Sequence, residues 1–417
     1  MNTIDKIVRQ LCPNGVEYVK IEDIAVRFSG MSGVSDKWKD GGNCYFIDYM
    51  NVYKNLKVDV SAIHPATVKK IEQTILLQGD ILFTSASEVP DECAISSVIE
   101  DEIQEGIFLD DHLFGIRFTA NYLNSTFYNY YFQTLEFRQK IRTVVKGVTR
   151  FYIDTTRFMK LTIPLPPLPV QAEIVRILDN FTELTAELTA ELTARKKQYK
   201  YYRDKLLKFD DSITTVMLGN VGDVTKLAGF EFTSHVKYKD NGKIIALRGL
   251  NVKDGKLDLS SVKYIDDSNF EKLNRSKLIK GDMLFTYVGT IGQVAVIDEN
   301  DRFYLAPNVA RIRFDSKIIN PEFMRLYFQT SHFFNRQINK FLNSSSMKNL
   351  TMENIRKFII PLPPIDEQNR LVELLLRFDK LCNDISEGLP AEIAARQKQY
   401  EYYRDKLLTF KELTEES

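Results

Sequence analysis

The sequence predicts an α+β protein in which two pseudo-symmetric mixed α/β domains are joined by two long helices packed as an antiparallel coiled coil. Three observations lead to this prediction. Residues 163–208 and residues 360–409 both begin with IPLPP, and both contain KQYxYYRDKLL directly before their last residue. Strand-like runs precede each copy, and apolar residues at alternating four- and three-residue spacing run through each copy. A repeat of about 200 residues is too long for a solenoid unit, so it indicates a duplicated module of one domain and one helical arm.

The repeat divides the 417-residue chain into two domains, two arms and a short tail. We expect domain 1 at 1–165, arm 1 at 166–210, domain 2 at 211–362, arm 2 at 363–412 and the tail at 413–417. The segment 79–84 (GDILFT) matches 281–286 (GDMLFT), so the domains share a framework. Between such matches, 84–107 differs from 286–302 in length and character. Retained elements with divergent loops are typical of one fold that recognises two different targets.

Within the domains, short apolar runs bounded by Gly, Asp or Asn predict strands at 75–77, 81–83, 244–247 and 294–297. Apolar residues at helical spacing predict helices near 121–143 and 320–342. We expect the apolar and aromatic residues of these helices to lie in the cores; they are Leu123, Phe127, Tyr130, Tyr131 and Leu135, and Phe323, Leu326, Tyr327, Phe333 and Phe334.

Each arm is predicted to be helical after its prolines, which cannot lie inside a helix. Ten positions of arm 1 follow four-three spacing, and eight of them are apolar or aromatic, as in a coiled-coil seam: Ile174, Leu178, Phe181, Thr185, Leu188, Leu192, Arg195, Tyr199, Tyr202 and Leu206. Arm 2 repeats the seam at Leu371, Leu375, Phe378, Cys382 and Ile385. Its segment 386–390 (SEGLP) predicts a break, with Pro390 beginning the last helix.

Composition limits the class of protein. The 44% apolar content suffices for real cores, and no apolar run reaches the length of a membrane helix. The start, MNTIDKIVRQL, does not resemble a signal peptide. Scattered cysteines predict reduced thiols and a cytoplasmic protein; they are Cys12, Cys44, Cys93 and Cys382.

Charge is balanced overall, with 56 basic and 56 acidic residues, but it is locally uneven. Basic residues are concentrated at 138–160 and at 195–208. Solvated helix faces explain such runs as well as polyanion binding does, so both interpretations stay open.

Motifs for catalysis are missing. The sequence contains no GxGxxG, no GxxxxGK[ST] and no Asn-Pro-Pro-aromatic tetrad, so neither a nucleotide-dependent enzyme nor a methylating enzyme is predicted. The four histidines have no metal-ligand spacing, and His112 beside Asp110 and Asp111 is interpreted as a charged loop. We predict no catalytic residue and no metal site.

At its repeated motifs the chain resembles, over essentially its whole length, the DNA-specificity subunits of type I restriction–modification enzymes. It is similar to the subclass with TAEL-type four-residue repeats, because ELTA occurs three times in 183–194. The resemblance implies that each domain is a target-recognition domain for one half of a bipartite, asymmetric site in double-stranded DNA. It also implies that the arms set the spacer between the two halves.

The resemblance further implies protein partners that carry the chemistry. Two modification subunits would dock on the arms and bind S-adenosylmethionine for adenine methylation. Restriction subunits would use ATP and Mg²⁺ for translocation and cleavage. This chain itself would bind no cofactor and would be non-catalytic.

Candidate DNA contacts are polar residues that flank the GDxLFT strand or precede IPLPP, since such side chains contact bases and phosphates. In domain 1 they are Ser85, Ser87, Lys146, Thr149 and Arg150; in domain 2 they are Tyr287, Thr290, Ser344, Ser345, Ser346, Lys348 and Asn349. The competing interpretation of each is an ordinary surface residue. Two other functions fit the sequence: the specificity subunit of a methylation-only or other phage-defence system, and a coiled-coil scaffold without DNA binding.

Overall fold

The structure, a computed structural model, describes residues 10–38, 41–69, 73–227, 232, 234–342, 349–383 and 388–413. The chain forms two compact units: unit 1 holds 1–188 and 393–417, and unit 2 holds 189–392. Both divisions between the units fall inside helices, so each unit contains one domain and a part of each arm.

The helices are mostly short apart from those of the arms. They are α1 (Ile21–Ile24), α2 (Tyr49–Lys54), α3 (Ser125–Phe132), α4 (Leu135–Arg142), α5 (Thr155–Met159), α6 (Leu168–Leu206), α7 (Leu218–Val221), α8 (Pro321–Phe328), α9 (Ser331–Phe333), a π-helical turn (Phe334–Ile338), α10 (Asn339–Leu342), α11 (Met352–Arg356), α12 (Ile365–Asn383) and α13 (Leu389–Leu407). Short 3₁₀ turns lie at Pro90–Glu92, Gly249–Asn251, Phe270–Lys272 and Asn274–Ser276. No described helix is long and apolar enough to cross a membrane.

The strands are also short. In unit 1 they are β1 (Glu17–Lys20), β2 (Ala25–Ser29), β3 (Val34–Lys37), β4 (Cys44–Ile47), β5 (His64–Val68), β6 (Ile81–Thr84), β7 (Ala86–Ser87), β8 (Ser96–Val98), β9 (Ile107–Leu109), β10 (Leu113–Phe118), β11 (Val145–Gly147), β12 (Phe151–Ile153) and β13 (Thr162–Leu165). In unit 2 they are β14 (Thr215–Met217), β15 (Gly222–Thr225), β16 (Ile245–Leu247), β17 (Val252–Lys253), β18 (Lys256–Leu257), β19 (Met283–Thr286), β20 (Val294–Val296), β21 (Phe303–Leu305), β22 (Val309–Phe314) and β23 (Ile359–Pro361).

Each domain contains its own central four-stranded antiparallel sheet. Its strand order is β2-β10-β6-β8 in unit 1 and β15-β22-β19-β20 in unit 2. The GDxLFT motif supplies β6 and β19, and all four positions of each strand are buried. A continuous apolar run of this length is what a strand covered on both faces requires. A two-stranded ribbon, β1-β13 or β14-β23, also recurs.

An ion pair between a fully buried aspartate and a partly exposed arginine of β10 or β22 is repeated in these two sheets. The carboxylate of Asp80, which is 0% exposed, accepts hydrogen bonds from Arg117 at 2.6 and 2.7 Å and from the backbone N–H three residues before it. Asp282 makes the same bonds with Arg313 at 2.6 and 2.7 Å. The aspartate of the GDxLFT motif therefore has a structural role in both domains.

The paired glutamines of the two arms are buried in matching sockets. The amide oxygen of Gln171 accepts from the N–H of Asn124 at 2.8 Å, and its nitrogen donates to the carbonyls of Tyr122 and Pro166 at 3.2 and 2.7 Å. Gln368 repeats the pattern with residues at matching positions, namely Asn320, Ile318 and Pro363. Buried amides need such partners, so these glutamines fix each arm to the domain before it.

Parts of both arms pack together within each unit. In unit 1 the ring of Phe181 stacks on Tyr403 with centroids 5.5 Å apart. In unit 2 Tyr199 lies near Asp379, and Cys382 lies near Arg195 and Lys196, so the helices run antiparallel there. This agrees with the predicted antiparallel seam.

The ends of both arms are tied to the domains by the aspartate of YYRD. Asp405 accepts from the N–H of Leu135 at 3.3 Å, at the start of α4, and Asp204 accepts from the N–H of Ser331 at 3.1 Å, at the start of α9. An acidic side chain is favourable at a helix N-terminus because it satisfies a free N–H. Each aspartate also pairs with the arginine directly before it.

The last residues of unit 1 complete domain 1. The N–H of Val16 donates to the carbonyl of Lys411 at 2.9 Å, and the N–H of Leu413 donates back to Val16 at 2.8 Å. In unit 2 a single continuous segment, 207–214, leads from α6 into β14. The junction before β1 in unit 1 therefore consists of two segments that are far apart in sequence, whereas the junction before β14 in unit 2 is one continuous segment.

Several sequence predictions need correction. Residues 75–77 form no strand. The N–H of Leu76 makes one hydrogen bond, to the carbonyl of Ile107, and the N–H of Leu77 donates to the carboxylate of Asp80 instead of to a neighbouring strand. Two of the predicted core residues are exposed: Leu135 is 65% exposed in the first turn of α4, and Phe334 is 39% exposed at the start of the π-helical turn.

The seam of arm 1 also departs from prediction at its end. Tyr202 is exposed, whereas its neighbour Arg203 is 8% exposed and lies over the ring of Tyr199 at 5.7 Å. At this end α6 packs on domain 2 as well as on α12, and the face of α6 that is buried is therefore the one that carries Arg203 and not the one that carries Tyr202. Of the predicted arm 2 seam, Ile385 lies outside the described residues. The interruption of arm 2 is confirmed at Gly388, which is not helical, and α13 begins at Leu389, one residue before the predicted Pro390; residues 384–387 lie outside the described part of the chain.

Candidate nucleic-acid interface

A β-hairpin brings three of the five domain 1 candidates together. Strands β11 and β12 pair antiparallel, with Gly147 opposite Phe151, and the loop between them holds Val148, Thr149 and Arg150. Gly147 has φ +128°, and a Cβ there would lie 2.0 Å from the carbonyl oxygen of Arg150, so the tight return requires glycine. Strand β12 also pairs with β7, so β11, β12 and β7 form a three-stranded sheet.

Ser85 lies at the base of this hairpin, whereas Ser87 lies opposite Phe151, next to the hairpin loop. The carbonyl of Ser85 accepts from the N–H of Ile153 at 3.0 Å. The hydroxyl of Ser87 donates to Glu92 at 3.1 Å and accepts from the N–H of Val89 at 3.2 Å. Both serines are half-buried; Ser85 bonds to the hairpin strand β12, and Ser87 supports the turn before β8.

The two cations of the hairpin differ in their partners. Lys146 donates to Asp154 at 2.6 Å, and this bond holds the pKa of the Asp154 carboxyl below its usual range. Asp154 also caps α5 by accepting from the N–H of Arg157. Arg150 is exposed, and its guanidinium lies 5.9 Å from the centre of the Tyr152 ring. Arg150 is therefore the freer of the two charges.

A cleft of about 380 Å³ opens beside the hairpin, between Arg150 and helix α2. The rings of Tyr49 and Tyr53 stack at 5.8 Å along one side. A hydrogen bond to Glu92 raises the pKa of the Tyr53 hydroxyl. The cleft thus offers aromatic faces, carboxylates and a guanidinium within one surface; its lining residues are Tyr49, Tyr53, Ala86, Ser87, Glu88, Glu92, His112 and Arg150.

The candidates of domain 2 are only partly brought together. Thr290 is exposed in the turn after β19, where its carbonyl accepts from Thr286 at 2.5 Å. Asn349 forms a bridge with Val288 in the same turn. Tyr287 is 8% exposed and belongs to the core of domain 2, so the structure does not bring its ring to the surface. Ser344, Ser345, Ser346 and Lys348 lie outside the described residues.

Several cations of the first basic cluster are used by the fold. Arg138 donates to the carbonyls of Asp91 and Ala94 at 2.7 and 2.8 Å, and burial lowers its pKa. Arg142 pairs with Asp91 at 2.5 Å, and Lys140 donates to the hydroxyl of Tyr131 at 3.2 Å. The cations of 138–160 that are exposed and lack an ion pair in the described part of the chain are Arg150, Arg157 and Lys160.

The second basic cluster belongs to the end of α6. Arg195 pairs with Glu191 at 3.2 Å, and Arg203 pairs with Asp204 at 3.1 Å. The ammonium of Lys205 lies 5.9 Å from the centre of the exposed Tyr201 ring. The remaining cations of this cluster, all exposed, are Lys196, Lys197, Lys200 and Lys208.

One acidic group could in principle hold a cation. The ligand atoms of Asp110, Asp111 and His112 lie within 4.8 Å of one another, and no other such group occurs among the described residues. However, the ammonium of Lys37 donates to both carboxylates, 3.1 Å from Asp110, and so already supplies the positive charge. In the structure these three residues and Lys37 therefore form one charged cluster.

Sequence reasoning missed two exposed residues of the hairpin. Val148 is 89% exposed at the tip, and Tyr152 is 51% exposed on the strand. The signal was present, because a glycine between two runs of β-branched and aromatic residues (VVKGVTRFYI) is a hairpin pattern. Glu88 and Glu92 of the cleft were also missed, and nothing in the local sequence identifies them.

Comparison with known proteins places this duplication in a family. The family model of the type I restriction modification DNA specificity domain matches twice, at residues 13–195 and 212–395. The chain is 33% identical over 298 residues to a Haemophilus influenzae protein named as a type I restriction enzyme specificity subunit, covering 69% of this chain and 73% of that protein. It is 36% identical over 272 residues to the EcoR124I/EcoR124II specificity subunit of Escherichia coli, covering 63% of this chain and 66% of that subunit.

Solved structures show the same fold. A chain from a structure on complex assembly and conformational transition of the type I restriction–modification system is similar with a TM-score of 0.67 at 14% identity, over 95% of this chain and 98% of that one. The HsdS subunit of Thermoanaerobacter tengcongensis gives a TM-score of 0.50 at 14% identity, over 95% and 96%. The chain belongs to the family of type I restriction–modification DNA-specificity subunits, which are non-catalytic recognition subunits.

Proposed function

We propose that, as a type I specificity subunit, this chain recognises a bipartite, asymmetric site in double-stranded DNA, one half through each domain. One observation carries the proposal: the domains keep the same buried framework but present different outer surfaces. Domain 1 has the hairpin β11-β12 and the sheet β3-β5-β4-β9, whereas domain 2 has the small sheets β16-β21 and β17-β18. Two copies of one surface would recognise the same sequence twice, so divergent surfaces favour two different half-sites.

In domain 1 the hairpin is the proposed DNA contact. Arg150 and Thr149 at its tip would meet base edges or phosphates, and Lys146 would meet the DNA backbone, with Ser85 beside the base of the hairpin and Ser87 beside its loop. In domain 2 the corresponding surface is the turn 288–292, which contains Thr290, together with Asn349, which bridges to this turn. The candidates Ser344, Ser345, Ser346 and Lys348 directly precede Asn349 in the sequence. Tyr287 would act from below, by packing under that turn. Phosphate contacts of this kind position a protein on DNA, and base contacts give specificity.

The arms are the proposed docking sites for two modification subunits. Tyr201 and Tyr402 occupy the same place in the repeated motif and are 60% and 61% exposed. The ammonium groups of Lys205 and Lys406 lie 5.9 and 5.8 Å from their rings. Packing explains why the buried residues of the motif are the same in both copies, but not why these exposed ones are. The same partner met twice would explain it, and exposed tyrosines are frequent anchors of protein interfaces.

Further partners complete the proposed complex. Restriction subunits would add ATP- and Mg²⁺-dependent cleavage, and S-adenosylmethionine would be bound by the modification subunits. Because genomic DNA would be the substrate, we place the protein in the cytoplasm.

An exchange of domains tests the division of labour. Residues 1–165 are replaced by the matching domain of a related subunit, the chimera is expressed with its modification subunits, and methylated adenines are mapped across the host genome. We expect one half of the methylated site to change and the other half and the spacer to stay the same. The reciprocal exchange of 211–362 is the control and should change only the other half. A change in both halves after either exchange would contradict independent recognition.

A further inference from the structure

The hairpin β11-β12 has two unlike faces. The side chains of Val145 and Ile153, which are opposite each other, are partly buried against the core of unit 1. Lys146 and Tyr152 form the next pair and are exposed. Because successive side chains of a strand alternate in direction, the outer face is cationic and aromatic while the inner face is anchored.

The tip of the hairpin carries an apolar side chain that the fold does not use. Val148 is 89% exposed and is followed directly by Thr149 and Arg150, which are exposed as well. A single exposed valine on a protein surface is ordinary. This one differs in position, because it lies at the end of a narrow ribbon with cations on both sides.

The ribbon is also held in place before any partner arrives. Its return is fixed by Gly147, whose backbone lies too close to Arg150 for any side chain. Its base is bonded by Ile153 to Ser85 at 3.0 Å and by Asp154 to Val144 at 2.9 Å. A fixed tip loses little conformational freedom on binding, so contacts made by it contribute fully to affinity.

We propose that Val148 contacts the C5-methyl group of a thymine in the major groove of the half-site that domain 1 recognises. The inference rests on the proposed function and adds the groove and one base. A two-stranded ribbon fits the major groove, which is about 12 Å wide, and the thymine methyl is the apolar group on its floor. In this placement Lys146 and Arg150 flank the valine and face the phosphates or a guanine edge. An apolar tip has no comparable partner among the phosphates themselves.

Deoxyuridine provides the test, because it lacks only the methyl group of thymine. The half-site is first mapped from methylated adenines, and duplexes are then made in which each of its thymines in turn is replaced by deoxyuridine. Binding is measured with the full chain assembled with its modification subunits. We expect one replacement to weaken binding about fourfold, the ratio that about 0.8 kcal/mol per buried methylene group gives.

The variant Val148→Ala identifies the side chain responsible. Since Val148 is almost fully exposed, the substitution should leave the fold intact, and recognition of the other half-site is the internal control. The variant should bind the thymine duplex less tightly than the unaltered chain and should no longer respond to the one critical replacement. Replacements in the half-site of domain 2 should affect both proteins equally.

Three results would overturn the inference: a domain 1 half-site without thymine on either strand, binding that no replacement weakens, or a Val148→Ala complex that stays sensitive to the critical replacement. The third would show that the hairpin faces elsewhere, for example a partner subunit. Failure of the proposed function looks different, because the domain exchange would then leave both half-sites unchanged.

Discussion

The strands β6 and β19 lie in the same place in the two domains, but the chain beyond them follows different courses. After β6 it forms β7, which pairs with the hairpin that carries Arg150. After β19 it makes a tight turn that bridges to Asn349. In the interior, by contrast, Asp80 and Asp282 make the same two hydrogen bonds to an arginine, at 2.6 and 2.7 Å in both domains. Buried polar groups tolerate little change because an unpaired one is costly, whereas exposed loops can change freely.

The arms offer the largest test of this comparison, because only arm 1 contains the ELTA tract. Deleting 187–190 removes four residues from α6, which is a net rotation of about 40° at 3.6 residues per turn. One base pair of DNA turns about 34–36°. The helix shortens by about 6 Å against about 3.4 Å per base pair, and we expect rotation to decide, since a domain on the wrong side of the duplex cannot reach its groove. The spacer of the methylated site should shorten by one base pair, with both half-sites unchanged.

The structure is compatible with such a deletion. Leu184, Leu188 and Leu192 of the tract are only half-buried, and coiled coils accommodate a four-residue change as a stutter. Inserting one more ELTA copy is the matched control and should lengthen the spacer by one base pair. An unchanged spacer in both variants would show that arm 1 does not set the distance.

The shared framework predicts equal losses of stability in the two domains. Asp80→Ala and Asp282→Ala should each lower the free energy of unfolding of their own domain by about 3 kcal/mol, because each leaves a partly buried arginine without its carboxylate. Hydrogen exchange followed by mass spectrometry can measure each domain separately in the full chain. Asp240→Ala, which removes an exposed pair with Lys263, should cost less than about 1 kcal/mol. A clear difference between Asp80 and Asp282 would break the equivalence of the frameworks.

The divergent surface of domain 1 predicts a smaller effect on binding. Arg150→Ala should lower the slope of log affinity against log salt by about one unit if this residue meets a phosphate. Lys146→Ala should do less, because Lys146 is already paired with Asp154. Arg142→Ala serves as a control, since Arg142 is paired with Asp91 on the same domain. If the slope of Arg150→Ala equals that of the unaltered complex, the hairpin does not contact the phosphates.

The smallest effect concerns pH and only domain 2. Burial lowers the pKa of His332, opposed by the charge of Asp204, whereas Glu136 occupies the matching place in domain 1. As the pH falls, His332 is therefore protonated in the unfolded chain before it is protonated in the folded chain. Domain 2 should lose stability as the pH falls below the usual histidine pKa of about 6.5. The loss is small because the imidazole is only half-buried. Hydrogen exchange of 321–342 at pH 7 and pH 5.5 should show it, and His332→Gln should remove the difference.

Prediction from sequence succeeded where one residue type has one structural use. Alternating four-three spacing placed the helices α6 and α12, and prolines placed their starts closely, although α6 begins at Leu168 and so contains Pro169 in its first turn. It failed where burial depends on several neighbours at once. Leu135 is exposed and Arg203 is buried, although apolarity alone suggests the reverse.

The sequence by itself determined the duplication, the two arms and the shared strands, because repeated motifs and periodic spacing are properties of the chain alone. Only the tertiary structure decided which polar residues serve the fold. Arg138 belongs to a basic cluster that suggested polyanion binding, but its partners Asp91 and Ala94 lie in the turn 87–94, which the chain brings to it by folding. It also decided that Val148 stands free at a hairpin tip and that residues 411–413 complete domain 1 beside Val16. Such contacts join residues far apart along the chain, and no local pattern records them.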